Sequence, residues 1–218
     1  MKTLEKADVA AAGGYDSRVA ENVQYHKELE SEASSLGLSH ATAKTVPTAL
    51  AIPADIEVLF LLSVPGPFKS VLLGDAKLLI YTPTKEHFGI VPVEAMQHRV
   101  PVLAANTGGP LETVLDGETG WLRDVKDIAA WTTVMRRVID DENAAEMSAM
   151  GHKGRRRVES EFSRFKMAQR FEDEVQGMMD GRRKAFIEWK DMMLGLGVMG
   201  IFVAALVLTV VTSRRQAN

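Results

Sequence analysis

Tyr81-Thr82-Pro83-Thr84-Lys85-Glu86-His87-Phe88-Gly89-Ile90-Val91-Pro92-Val93-Glu94-Ala95-Met96 reads as the end of a strand, a short polar loop and the start of a helix. Glu86 and Glu94 stand eight positions apart across that junction. Gly89 permits close backbone approach. Pro92 suits a first helical turn, where its missing N–H costs nothing. A helix that opens here offers unpaired N–H groups and the positive end of a dipole to an anion. Ligand sites of open α/β sheets lie at the carboxyl ends of strands, which is where this loop falls.

Working outward, the neighbouring segments alternate in type. Asp8–Gly14 reads as a strand running into a turn, and Tyr15–Leu36 as a helix stopped by Gly37. Residues 38–55, rich in Ala, Thr and Pro, carry no assignable pattern. Glu57–Ser63 is a continuous apolar run of strand length, the mark of a strand buried on both faces. A short helix over Phe68–Asp75 and a strand over Lys77–Thr82 lead into the quoted stretch. Beyond it come a strand at Val100–Ala105, a loop at Asn106–Pro110, a short helix at Leu111–Leu115 and a short strand at Trp121-Leu122. From Asp127 the pattern is helical, interrupted at Asp140–Asn143. This rhythm predicts an α/β fold with a parallel sheet covered by helices.

Composition narrows the chemistry. The 218 residues carry 26 Lys and Arg against 29 Asp and Glu, a net charge of −3 that argues against a general nucleic-acid binder. No cysteine is present, which removes thiolate metal sites and cysteine nucleophiles. The first residues, Met1-Lys2-Thr3-Leu4-Glu5-Lys6, contain no apolar run of the kind a secretory signal has.

The second feature is an uncharged stretch from Met192 to Ser213. As a helix its 22 residues would extend about 33 Å, against a hydrocarbon core of about 30 Å. Eleven of them are Leu, Ile, Phe or Val, contributing about −3 to −7 kcal/mol toward insertion. Arg182, Arg183, Lys184 and Lys190 precede the stretch and only Arg214 and Arg215 follow it, so the larger part is expected on the cytosolic side.

Glu86-His87-Phe88-Gly89-Ile90-Val91-Pro92-Val93-Glu94-Ala95-Met96 resembles the Glu-x7-Glu motif of retaining glycosyltransferases with the two-domain GT-B fold. Within family 4 of these enzymes it resembles the alpha-1,3/1,6-mannosyltransferases of the dolichol-linked oligosaccharide pathway. Three further stretches agree: Ala12–Val23, Ala105–Glu112 and Gly117–Gly120.

The resemblance implies transfer of mannose from GDP-mannose to a dolichol-linked oligosaccharide, with retention and with no metal or cofactor. It implies that Glu86 is catalytic and faces the donor sugar. His87, Phe88, Gly89, Ile90 and Val91 would bind the donor: the backbone amides of Phe88 to Val91 would receive the diphosphate, the His87 side chain would reach the sugar or a phosphate or else cap the turn, and Glu94 would take the ribose hydroxyls. Thr107, Gly108 and Gly109 would form a supporting donor loop. The expected architecture is a single Rossmann-like donor-binding half over residues 1–175, a juxtamembrane linker or helix over 176–191 and a transmembrane helix over 192–213.

The setting implied is the endoplasmic reticulum membrane, catalytic part to the cytosol. The acceptor-binding domain of such enzymes would precede Met1, so catalysis by this polypeptide alone is not expected. Two alternatives stand beside this reading: a non-catalytic, membrane-anchored nucleotide-sugar-binding fragment, and another retaining GT-B transferase such as a glycolipid enzyme. The basic run Lys153, Arg155, Arg156, Arg157 is expected to be a solvated or membrane-facing patch.

Overall fold

The computed structural model describes residues 8–216 except Ala54, without the side chains of 183–187, 191, 195, 197–198 and 200–216. The chain divides into two compact units, Met1–Ser160 and Glu161–Asn218.

Among the described residues the first unit holds six short strands, all paired in parallel. Strand β1 (Val9–Gly13), helix α1 (Ala20–Ser35), strand β2 (His40–Ala43), helix α2 (Val46–Leu50) and strand β3 (Val58–Leu62) come first. Helix α3 (Gly66–Asp75), strand β4 (Leu79–Tyr81), helix α4 (Ile90–Gln97), strand β5 (Val102–Ala105), helix α5 (Pro110–Thr113) and strand β6 (Gly120–Arg123) follow. Helix α6 (Ile128–Ile139), a 3-10 turn at Asp141–Asn143 and helix α7 (Ala144–Glu161) come next.

The strands form two three-stranded sheets, in the orders β1-β3-β2 and β4-β5-β6. The parallel sheet expected from the sequence is therefore present as two sheets. Among the described residues neither β1 nor β4 pairs with a strand beyond β3 and β5. The consequence is unequal burial. The Val102–Ala105 run of β5, flanked on both edges, is buried throughout, whereas four of the five residues of β1 are exposed although it is entirely apolar and glycine. Ile80 of β4 is also exposed.

Each sheet has its own core. Leu103 and Trp121 pack with Trp131, Val134, Val138, Met147 and Met150 of α6 and α7. The amphipathic spacing of α6 turns one stripe inward, and Asp127 caps its start by accepting from the Ala130 N–H. Trp131 satisfies its indole N–H on the Asp124 carbonyl at 2.8 Å. Ala43, Ala49, Leu59, Leu61 and Phe68 form the second cluster.

Two local readings change. Helix α1 begins at Ala20 rather than Tyr15 because Asp16 organises a turn ahead of it. Its carboxylate accepts from the Arg18 backbone and guanidinium, and its carbonyl accepts from Val19. The Arg18 contacts hold the Asp16 carboxyl below the ordinary carboxylate range. The segment 38–55, without pattern in the sequence, contains β2 and α2. Helix α2 starts on a reciprocal cap between Thr45 and Thr48, a threonine version of the capping box.

In the second unit a helix, α8, runs from Arg164 to Gln216, with Arg170 paired to Glu161 ahead of it. It contains the backbone of the segments expected as juxtamembrane and transmembrane. Among the described residues no helix is long and apolar enough to cross a membrane. Most side chains of 192–213 lie outside those described, so the expected span falls outside them too.

Candidate functional site

The site is built where β4 ends and α4 begins. Gly89 caps α4 in the left-handed conformation, φ 75°, which places the turn between loop and helix on the residue without a Cβ. The helix then buries Pro92, Val93, Ala95 and Met96 against the sheet. That fixes Glu94, on the half-exposed side of the same helix, one turn in.

Glu86 sits in the loop before it. Its Oε1 accepts from the His87 N–H at 3.0 Å and the Phe88 N–H at 3.4 Å, and its Oε2 accepts from the Tyr81 hydroxyl at 3.1 Å. Donors from Phe88, Tyr81, Gly89 and His87 favour the anion and hold the carboxyl below its ordinary range. Burial and the neighbouring carboxylate push the Tyr81 phenol up to about 12. Glu86 is thus kept ionised and Tyr81 protonated near neutrality.

The second loop is locked onto the first. The Gly109 N–H donates to the Glu86 carbonyl at 2.8 Å, and the Thr107 hydroxyl donates to the Thr84 carbonyl at 2.8 Å. A Cβ at Gly108 would overlap the Glu86 carbonyl oxygen, and one at Gly109 would overlap the Phe88 backbone. The structure therefore brings Thr107, Gly108 and Gly109 directly against residues 84–88. These glycines serve backbone contact between the two loops.

Glu94 is placed differently from Glu86. Its Oε1 accepts from the Lys69 ammonium of α3 at 2.6 Å, with both side chains about one third exposed. Its Oε2 is buried and has no hydrogen-bond partner. The amides of Ile90 and Val91 lie in the first turn of α4 and have no acceptor inside the helix. With Phe88, Gly89 and His87 turned to Glu86, those two are the donors this helix end retains for an anion. His87 contributes its backbone N–H and leaves its side chain exposed.

Three residues that shape the site have no signal in the sequence motif. Lys69 lies 25 positions before its partner Glu94, and nothing in the spacing connects them. Tyr81 closes the preceding strand and reads there as an ordinary sheet residue. Arg157, placed with the basic run, instead anchors α7 to α5: its Nε donates to the Thr113 carbonyl at 3.0 Å and its Nη2 to the Glu112 carbonyl at 2.7 Å. Arg155 pairs with Glu159 one turn along the same helix.

Comparison with known proteins gives this geometry a family. The chain is 53% identical over 178 residues to the alpha-1,3/1,6-mannosyltransferase alg-2 of Neurospora crassa, covering 81% of this chain and 38% of that protein. It is 43% identical over 192 residues to the alpha-1,3/1,6-mannosyltransferase alg2 of Schizosaccharomyces pombe, covering 88% of this chain and 37% of that one. The chain thus spans well under half the length of these curated relatives.

Among solved structures, that of Anabaena HepE in complex with UDP and glucose superposes with a TM-score of 0.62 at 18% identity, over 80% of this chain and 49% of that one. At that identity the likeness speaks for the fold. The family profile described as glycosyl transferases group 1 matches residues 12–157, a span that includes both site loops, the end of β1, β2 through β6, and the anchoring arginine. On that match the chain belongs to the glycosyl transferases group 1.

Proposed function

We propose that the chain is the donor-binding part of a retaining mannosyltransferase that takes mannose from GDP-mannose and places it on a dolichol-linked oligosaccharide. The observation that carries this reading is the placement of Glu86 and Glu94 on either side of the α4 N-terminus, at the carboxyl end of β4. The names of the relatives, at up to 53% identity, supply the sugar; the dolichol-linked acceptor comes from the resemblance of the Glu86–Met96 motif.

The chemistry follows from the environments of the two acids. Glu86, held ionised by amides and the Tyr81 hydroxyl, stands ready to stabilise positive charge at the anomeric carbon as the bond to the diphosphate breaks. The departing electron pair stays on GDP, whose charge meets the Ile90 and Val91 amides and the helix dipole. Glu94 accepts from the ribose hydroxyls. His87 lies within the same loop and faces solvent, where it can meet the sugar or a phosphate. The reaction on this reading requires no metal and no cofactor.

The membrane setting belongs to the same proposal. The uncharged segment 192–213 would anchor the chain, with the α/β unit on the cytosolic face of the endoplasmic reticulum. Large apolar side chains at Trp189, Met192, Leu194 and Met199 are exposed on α8, which a bilayer or a partner would cover.

Calorimetry with GDP and GDP-mannose, paired with a radiolabelled mannose-transfer assay on a lipid-linked acceptor, tests the reading. Binding with transfer above a Glu86→Gln control supports the enzyme. Binding without transfer supports the non-catalytic donor-binding fragment. Silence toward GDP overturns both.

A further inference from the structure

We propose that Lys69 is a positioning residue that makes the site selective for nucleotides with an intact ribose diol. The inference rests on the reading of Glu94 as the acceptor for ribose hydroxyls, and adds to it a residue that no motif contains.

Lys69 lies in the first turn of α3, where its N–H donates to the Pro65 carbonyl at 2.9 Å and fixes its backbone. Helix α3 follows β3, so its start lies at the carboxyl end of a parallel strand, as α4 does. Its ammonium reaches across to Oε1 of Glu94 at 2.6 Å. An ordinary surface pair would leave both carboxylate oxygens open to water. Here Oε2 is buried and unpaired. A carboxylate oxygen held out of water without a donor is unfavourable, and the deficit is removed when a donor arrives.

The donor that fits is neutral. Lys69 already balances the charge of Glu94, so a second cation would be in excess. An anion would be repelled. A pair of adjacent hydroxyls suits the acid: one donates to Oε2 and the other to the lone pair that Lys69 leaves on Oε1. Oε2 is buried, so the hydroxyl reaches it through a local rearrangement on binding.

Lys69 pins the carboxylate in one orientation, which reduces the ordering left for the ligand to impose.

The experiment measures binding of GDP, 2′,3′-dideoxy-GDP and inorganic pyrophosphate to the full chain and to its Lys69→Met and Lys69→Arg variants, with melting curves to establish folding. In the unaltered protein GDP should bind about tenfold to a hundredfold more tightly than the dideoxy nucleotide, as charge-assisted hydrogen bonds would give. Lys69→Met should collapse that ratio to within about threefold while pyrophosphate binding changes little, and Lys69→Arg should restore most of it.

An unchanged ratio in Lys69→Met overturns the proposal while the donor-site reading stands. So does an equal loss for GDP and pyrophosphate, which would make Lys69 a phosphate contact. Absence of GDP binding in the unaltered protein overturns the donor-site reading and this inference with it. A Lys69→Met chain that fails to fold leaves the decision to Lys69→Arg. Discrimination retained there supports the pinning role, and discrimination lost in a folded Lys69→Arg overturns it.

Discussion

The hydroxyl of Tyr81 donates to Oε2 of Glu86 at 3.1 Å, joining the last residue of β4 to the acid that opens the motif. Burial and this contact raise the phenol, while the Phe88 amide and this contact lower the carboxyl, so the proton is held by the tyrosine and the charge by the glutamate. Tyr81 sits at about 12 in the fold against an ordinary 10, so its contribution to stability is complete below pH 10 and is lost between about 10 and 12. Tyrosinate absorbance should show a late step near pH 12 that Tyr81→Phe abolishes. That variant should lose about 1–2 kcal/mol of stability at neutral pH.

Glu86 runs in the opposite sense. Its folded value lies below the ordinary carboxylate range, so its contribution is present above that range and disappears as pH falls through the lowered value. Glu86→Gln should flatten the acid limb of the stability profile, followed by circular dichroism. A limb unchanged by the substitution would show that the loop amides do not favour the charged form.

Gly109 packs its Cα against the Phe88 backbone with no room for a Cβ. Gly109→Ala should push the two loops apart and cost about 1–3 kcal/mol in thermal stability, with a loss of GDP affinity. Gly14→Ala, where a Cβ meets nothing within 4 Å, is the matched control and should leave both unchanged.

Arg157 and Arg156 are neighbours of equal charge with different surroundings. Arg157→Met removes donors to the Glu112 and Thr113 carbonyls and should destabilise by about 1–3 kcal/mol. Arg156→Met, at an exposed position, should stay within about 0.5 kcal/mol. Equal melting temperatures for the two variants would remove Arg157 from the packing of α7 on α5.

Hydrogen exchange should separate the two kinds of strand. The amides of Val102–Ala105 lie in the buried centre of their sheet, and those of Val9–Gly13 in an exposed strand at the edge of the described sheet. Protection factors in β5 should exceed those in β1 by orders of magnitude. Ligand that binds at residues 86–94 should protect the α4 N-terminus and leave β1 as it was.

Much of the fold is legible in the residues because local periodicity and punctuation decide it. The apolar runs at Val58–Leu62 and Val102–Ala105 and the Gly89–Pro92 junction each coincide with an element of the structure. The misreadings have separate causes, one local and one tertiary. Tyr15–Val19 has helical composition, but the Asp16 carboxylate competes for the backbone and delays the helix. Residues 38–55 fold into β2 and α2 through the pairing of His40–Ala43 with β3, a contact that no local pattern announces.

The sequence by itself determined the α/β alternation, the two acids and their spacing around a helix start, because these are properties of consecutive residues. Only the tertiary structure decided which groups those acids meet. Tyr81 on Glu86, Lys69 on Glu94, the glycines of one loop against the backbone of the other, and the arginine that ties α7 to α5 are contacts between segments brought together by chain folding. Distance in space, rather than separation along the chain, sets the fields and hydrogen bonds that give each carboxylate its role.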